Sequence, residues 1–198
     1  MNDVERFNRW AEGYDRHYLQ RLIFEPVQRT LLEVASAVVP SPEGILDVGC
    51  GTGRLLRSAA EVFPDARLEG VDAAAEMVRH AQAARDSRIT FRVATAESLP
   101  FPDASFDLVF STMTFHHWAN QGVAIGEVGR VLTPGGRWLL ADFVATGLMK
   151  YVRRLFRLRR FPERKVLDPM LAAAGLKVIA SHRVRGVGSQ IPILVIGR

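Results

Sequence analysis

The chain has one cysteine in 198 residues. A single thiol can form no internal disulfide and no cysteine-based zinc site, and no metal site is expected. No apolar run approaches the roughly 20 residues that a membrane-spanning helix needs. The opening residues, Met1-Asn2-Asp3-Val4-Glu5-Arg6, are polar and carry no signal-peptide core. Internal repeats and low-complexity linkers are also absent. Acids are the scarcer charge, 21 Asp and Glu against 26 Lys and Arg, for a net charge of +5. Hydrophobic residues make up 48% and charged residues 24%, the balance of an ordinary globular domain. The expectation is one cytoplasmic domain, residues 1–198, large enough to bury a substantial core. The positive charge favours an anionic substrate, a nucleic acid or an acidic membrane surface, or else it only aids solubility.

Against this background one stretch stands out. Ile45-Leu46-Asp47-Val48 reads as a buried strand, Gly49-Cys50-Gly51-Thr52-Gly53 as a glycine loop, and Arg54 to Ala60 as a helix. Strand, glycine loop and helix let a ligand approach backbone at the carboxyl end of a sheet. Glycines serve there because they reach unusual φ/ψ and carry no Cβ. The G-x-G-x-G spacing differs from the dinucleotide G-x-G-x-x-G, and no Lys-Ser/Thr follows to make a P-loop. A second strand, Arg67 to Asp72, ends in an acid placed to accept from a ribose diol. A third, Ile89 to Ala94, leads into Thr95-Ala96-Glu97-Ser98-Leu99-Pro100-Phe101, and a fourth runs from Phe106 to Ser111. A helix follows, ended by Leu132-Thr133-Pro134-Gly135-Gly136, and then a fifth strand from Arg137 to Phe143.

The flanks complete the layout. Residues 3–38 read as two helices, the second starting near Pro26 with Val27, Leu31, Val34, Ala35 and Val38 on one face. Asp168-Pro169 reads as the N-cap and first residue of a short helix ending at Gly175. Lys177 to Val184 and Ile191 to Ile196 read as a closing hairpin. Residues 1–40 are thus a helical cover, 41–143 a cofactor-binding core, and 144–198 a basic helical segment with closing strands.

Four segments, in this order, resemble the class I S-adenosylmethionine-dependent methyltransferases. They are Leu46 to Gly53, Gly70-Val71-Asp72, Ala96 to Phe101 with Ser105-Phe106-Asp107, and Val131 to Gly136. The chain is most similar to the small-molecule group that includes the ubiquinone and menaquinone methyltransferases. The resemblance covers roughly residues 7 to 143. It implies an α/β fold: a single Rossmann-like, doubly wound, mainly parallel sheet with an antiparallel C-terminal strand and helices on both faces.

The resemblance also implies S-adenosylmethionine as cofactor and distributes its parts. Asp47 and the carbonyls of Gly49 and Ser111 suit the ammonium. The loop of Gly49, Cys50, Gly51 and Gly53 suits the carboxylate, which helix N-termini favour. Asp72 would take the ribose, or cap the helix beginning near Ala74. Ala73 and Met77 would wall the adenine, with Thr95, Ala96 and Glu97 at its edge and Thr112 close by. Relatives usually carry an acid where this chain has Thr95, so a neutral hydroxyl replaces a charged acceptor there. Tyr14, one turn from Trp10 on the first helix, is expected to border the site.

Phe115-His116-His117-Trp118 is the clue to the acceptor side. It follows the fourth strand at the sheet's carboxyl end, and a histidine there suits proton transfer near neutrality. His116 and His117 are the candidate catalytic bases; the alternative is that they line the pocket or brace it. The expected acceptor is a small molecule, anionic or lipophilic. A nucleic acid is disfavoured, because Ser111-Thr112-Met113-Thr114 lacks the acid-or-Asn, Pro-Pro, aromatic pattern of amino-group DNA methyltransferases. A binding or non-methyl-transfer role on the same fold is a further alternative. From Met149 to Arg160 there are six Lys or Arg and no acid. At helical spacing, residues 148–161 put most of their bases opposite an apolar arc. Such a face would meet solvent, an acidic substrate or anionic lipid.

Overall fold

The computed structural model describes residues 3–14, 24–84, 86–142, 164–184 and 191–198, with side chains described from residue 4 to 9 in the first of these. The helices are α1 (Asp3–Tyr14), α2 (Glu25–Val38), α3 (Arg54–Val62), α4 (Ala75–Ala83), α5 (Gln121–Val131) and α6 (Arg164–Ala173). The strands are β1 (Gly44–Val48), β2 (Arg67–Asp72), β3 (Ile89–Val93), β4 (Phe106–Thr112), β5 (Leu132–Ala141), β6 (Lys177–Arg183) and β7 (Pro192–Gly197). They form one seven-stranded sheet in the order β3-β2-β1-β4-β5-β7-β6. The first five run parallel, and β7 is antiparallel to both β5 and β6. The doubly wound, mainly parallel sheet of the expectation is present.

Why the sheet needs helices on both faces can be read from β1 and β4. Every residue of β1 is buried. Alternate side chains of a strand leave opposite faces. Ile45, Leu108 and Phe110 join the core under α2 and α3 with Leu31, Ala35 and Leu56. Leu46, Val48 and Val109 join the core under α5 and α6 with Trp138, Val128 and Leu167. Each such side chain removed from water contributes about 1.5–3 kcal/mol. Charge on either face of these strands would meet a helix, which is why, Asp47 and Asp107 apart, they read as mainly apolar runs.

Two local expectations change. The Pro134-Gly135-Gly136 stretch does not stand outside the fifth strand. β5 already begins at Leu132, which pairs Phe106, and the register then shifts so that Arg137 pairs Leu108. Proline and glycine are here the irregular start of a strand. Asp168 is not an N-cap either. The helix starts at Arg164, so Pro169 lies inside it, and Asp168 pairs with Arg164 at 2.8 Å across one turn. Pro169 withholds an N–H from the carbonyl of Lys165, so the helix lacks one bond of its ladder there. The strand from 137 keeps its place through Ala141, and Phe143 lies outside the described residues. So do the connection 185–190 and the basic stretch 148–161. Among the described residues, no helix is long and apolar enough to cross a membrane.

Candidate functional site

The strand order reverses between β1 and β4. Loops leaving their carboxyl ends go to opposite sides of the sheet and open a crevice there. A cleft occupies this point, and its wall includes Val48, Gly49, Gly51, Asp72, Ala73 and Met77. Thr95, Ala96, Glu97, Thr112 and His117 complete the part that the sequence pointed to.

Its floor is backbone. Gly49 has φ +82° and Gly51 φ +52°, left-handed values that favour glycine. A Cβ on Gly49 would run into the side chain of Thr114, so the loop after β4 lies directly against the loop after β1. Met113 makes this possible by holding φ +55°, a strained conformation for a residue with a side chain, while its N–H donates to Ala141. Gly53 opens α3 with φ +79°, and a Cβ there would strike the ring of Phe91. Its role is packing beneath the loop rather than lining the cleft.

Two acids give the site its electrostatic character. Asp72 ends β2 and braces two turns at once. Its Oδ2 accepts from the Gly51 N–H and its Oδ1 from the Ala74 N–H, each at 2.8 Å. Ribose and helix-start readings are therefore compatible: each carboxylate oxygen retains further accepting capacity. Burial raises its pKa, and the two backbone donors oppose the rise. Asp47 lies in β1, 2% exposed, with Oδ1 lacking any hydrogen-bond partner. Burial, and then the charge of Asp72, push its carboxyl up to about 8. A buried, unpartnered carboxylate is costly unless a cation joins it.

The other residues separate into those at the cleft and those behind it. The Cys50 thiol is buried, and burial followed by the charges of Asp47 and Asp72 raises its pKa, which makes it unreactive. The Ser111 side chain points into the core, where its hydroxyl accepts from Trp138 Nε1 at 3.2 Å. The residue is fully buried within β4 and is not part of the cleft wall, so the structure does not bring Ser111 to the ligand as the sequence suggested. Glu97 lines the cleft, and its Oε1 accepts from the Asn120 N–H at 3.0 Å, at the start of α5. The Tyr14 and Trp10 side chains lie outside the described ones. Phe7 stands in for that helix, lining the cleft and meeting the His117 ring edge-on at 5.0 Å. α1 is anchored to α4, where Asn8 accepts from the Glu76 N–H.

His116 and His117 form a 3-10 turn after β4, with ring centroids 3.9 Å apart. His117 lines the cleft. His116 turns toward Asp142 at the end of β5, with Nδ1 2.8 Å from Oδ1. Sequence reasoning missed Asp142, Thr114 and Phe7. Among the described residues there is no cluster of three or more metal-ligating side chains.

These residues fit an S-adenosylmethionine molecule. A buried pair of acids, a glycine floor and the apolar wall of Ala73 and Met77 have the chemistry that its ammonium, carboxylate and adenosine need.

The comparisons agree. A family described as "Methyltransferase domain" matches residues 46–140. A demethylmenaquinone methyltransferase of Deinococcus radiodurans is 36% identical over 159 residues, covering 77% of this chain and 65% of that protein. The enzyme of the same description from Thermus thermophilus is 33% identical, covering 72% of this chain and 78% of its own length. A solved structure described as a SAM dependent methyltransferase from Aquifex aeolicus superposes with TM-score 0.73 at 17% identity, covering 99% of both chains. At that identity it speaks for the fold. The chain spans somewhat less than two thirds of the Deinococcus protein.

Proposed function

This chain belongs to the class I S-adenosylmethionine-dependent methyltransferases, and we propose that it carries a methyl group from that cofactor to a small-molecule acceptor. The observation that carries the reading is Asp47. A carboxylate so buried and unpartnered, beneath a glycine loop and next to Asp72, is arranged for a cationic ligand.

The cofactor, when bound, supplies a methyl activated by a sulfonium, so the chemistry of donation is not the protein's. The chain's own residues bind and align. Asp72 accepts from the ribose while it holds the Gly51 loop. Asp47 balances the ammonium. Ala73 and Met77 wall the adenine, and the Thr95 to Glu97 turn meets its edge. Phe7 and His117 bound the remaining side and help to exclude water, which competes for the methyl.

The acceptor is read as small and either anionic or lipophilic. The quinone substrates in the names of the two relatives favour the lipophilic version. The same reading places the work in the cytoplasm, where a chain with one thiol is at home. The test is incubation with methyl-labelled S-adenosylmethionine and an extract of small quinols and phenols. Label should pass to a small organic product and not to added DNA or RNA. Transfer to nucleic acid, or none by a chain that binds the cofactor, would contradict the proposal.

A further inference from the structure

The cleft at the β1–β4 reversal encloses about 180 Å³. Sites that bury ligands of the cofactor's kind enclose about 300–1,000 Å³. The chemistry of the walls suits S-adenosylmethionine, but the space between them is too small for it. One wall has to give way.

The sheet side is fixed. Gly49 donates its N–H to the Val71 carbonyl at 2.8 Å, and Met113 donates to Ala141 at 2.8 Å. Asp72 ends β2, which pairs with β1 and β3, and ties the Gly51 loop to the start of α4. Moving any of these groups breaks backbone hydrogen bonds inside the fold.

α1 is different. It lies outside the sheet, and none of its residues from 4 to 9 is buried. Elements with few buried side chains open at low free-energy cost. Val4 and Phe7, one turn apart, both line the cleft. The Phe7 ring packs against Ala74 and Met77, on the wall that follows β2. It also meets the His117 ring edge-on at 5.0 Å, on the wall that follows β4. One side chain thus spans the crevice from wall to wall. Next to it, Asn8 Oδ1 accepts from the Glu76 N–H at 3.0 Å and fastens the helix to the start of α4.

We propose that α1 is a strap across the cofactor cleft and that Phe7 is its clasp. The ring leaves the gap between Met77 and His117 to admit S-adenosylmethionine, and it closes again over the bound ligand. Entry and release both wait on the movement of α1. An apolar clasp opens without exchanging hydrogen bonds of its own, and when shut it keeps water from the sulfonium. The inference rests on the reading of this cleft as the cofactor's.

The test follows binding of S-adenosylhomocysteine to the full chain by stopped flow. Tryptophan fluorescence gives the signal, because Trp118 lines the cleft. When a closed form must open first, the observed rate levels off with ligand concentration at the rate of opening. The parent should show this plateau. In Phe7→Ala, association and release should each be about tenfold faster or more. Asn8→Ala, which leaves every side chain of the cleft wall in place, should raise the plateau severalfold. Circular dichroism shows whether each variant is folded, and Asn8→Ala decides the matter if Phe7→Ala is not. A parent rate that climbs in proportion to concentration throughout would overturn the strap, as would an unchanged plateau in Asn8→Ala. Faster release from Phe7→Ala with unchanged association would make Phe7 an ordinary ligand contact and would overturn it too. A folded parent that binds no S-adenosylhomocysteine would instead refute the cofactor reading beneath it.

Discussion

Asp47 is where the proposed cofactor contact meets the electrostatics of the fold. An acid whose pKa rises from 3.8 to about 8 keeps a proton in the folded chain that the unfolded chain has already released. Its contribution to stability therefore falls as pH rises from about 4 to about 8. A cationic ligand reverses this by favouring the ionised form. Below pH 8, cofactor binding should expel close to one proton from Asp47, and affinity should strengthen as pH rises. Near pH 8 the ligand's own ammonium begins to lose its proton, since α-amino groups titrate near 7.7–8.0. The affinity profile is expected to peak there. Calorimetry at pH 7 in two buffers of different ionisation enthalpy measures the proton count. The acid-side slope should vanish in Asp47→Asn; a slope that persists would mean another group titrates. Asp47 and Asp72 could be singled out in the sequence because each belongs to a local motif at the end of a strand, Leu46 to Gly53 and Gly70-Val71-Asp72. Asp142 could not, because its partner His116 belongs to another strand's loop. In sequence Asp142 is simply one residue of a fifth strand.

At the scale of elements, α5 acts as a latch for the loop between β3 and β4. Arg130 donates to the carbonyls of Phe101 and Leu99 and to Asp103, while Glu127 accepts from the Leu99 N–H. Arg130 and Glu127 also pair with each other at 2.7 Å. Hydrogen bonds from Arg130 hold the Glu127 carboxyl below the usual range, and those it donates to Glu127 and Asp103 raise the guanidinium further. The segment so held includes Thr95 to Glu97, the expected adenine edge. Charged hydrogen bonds contribute about 1.5–3 kcal/mol each. Arg130→Met should lower unfolding stability by roughly 2 kcal/mol, speed hydrogen exchange at residues 95–101, and weaken cofactor binding severalfold. Faster exchange elsewhere but not in this loop would mean that α5 does not restrain it. The motif residues around Leu99 and Phe101 marked this loop in the sequence, but nothing there showed that α5 holds it. The start of α6 was misplaced for a related reason: Asp-Pro is a strong local signal, and the turn before it, which carries the Arg164–Asp168 pair, has none as strong.

For the whole molecule, the sheet order decides where chemistry happens. Strand types and most boundaries follow from apolar runs and glycine loops, but the β1–β4 reversal arises from packing across the sheet. Along the sequence the charge is uneven, with six Lys or Arg and no acid from Met149 to Arg160. The basic stretch from Lys150 to Arg160 is proposed to meet anionic lipid or an acidic substrate. Each basic residue near an anionic surface adds about 1 kcal/mol, reduced by salt. Sedimentation with phosphatidylserine-containing vesicles should therefore carry the chain down at low salt and release it at high salt, with little pelleting on neutral vesicles. Equal behaviour on both lipids would leave this stretch to the acceptor or to solvent.

The central claim is that the cleft between β1 and β4 binds S-adenosylmethionine through Asp72. Calorimetric titration of the intact chain and of Asp72→Ala tests it most directly, with circular dichroism to show that both are folded. The parent should bind one cofactor per chain. The variant, losing a charged pair of hydrogen bonds to the ribose worth about 1.5–3 kcal/mol, should bind at least about tenfold more weakly. A folded parent that gives no binding heat, or a folded Asp72→Ala that binds as tightly as the parent, would contradict the account.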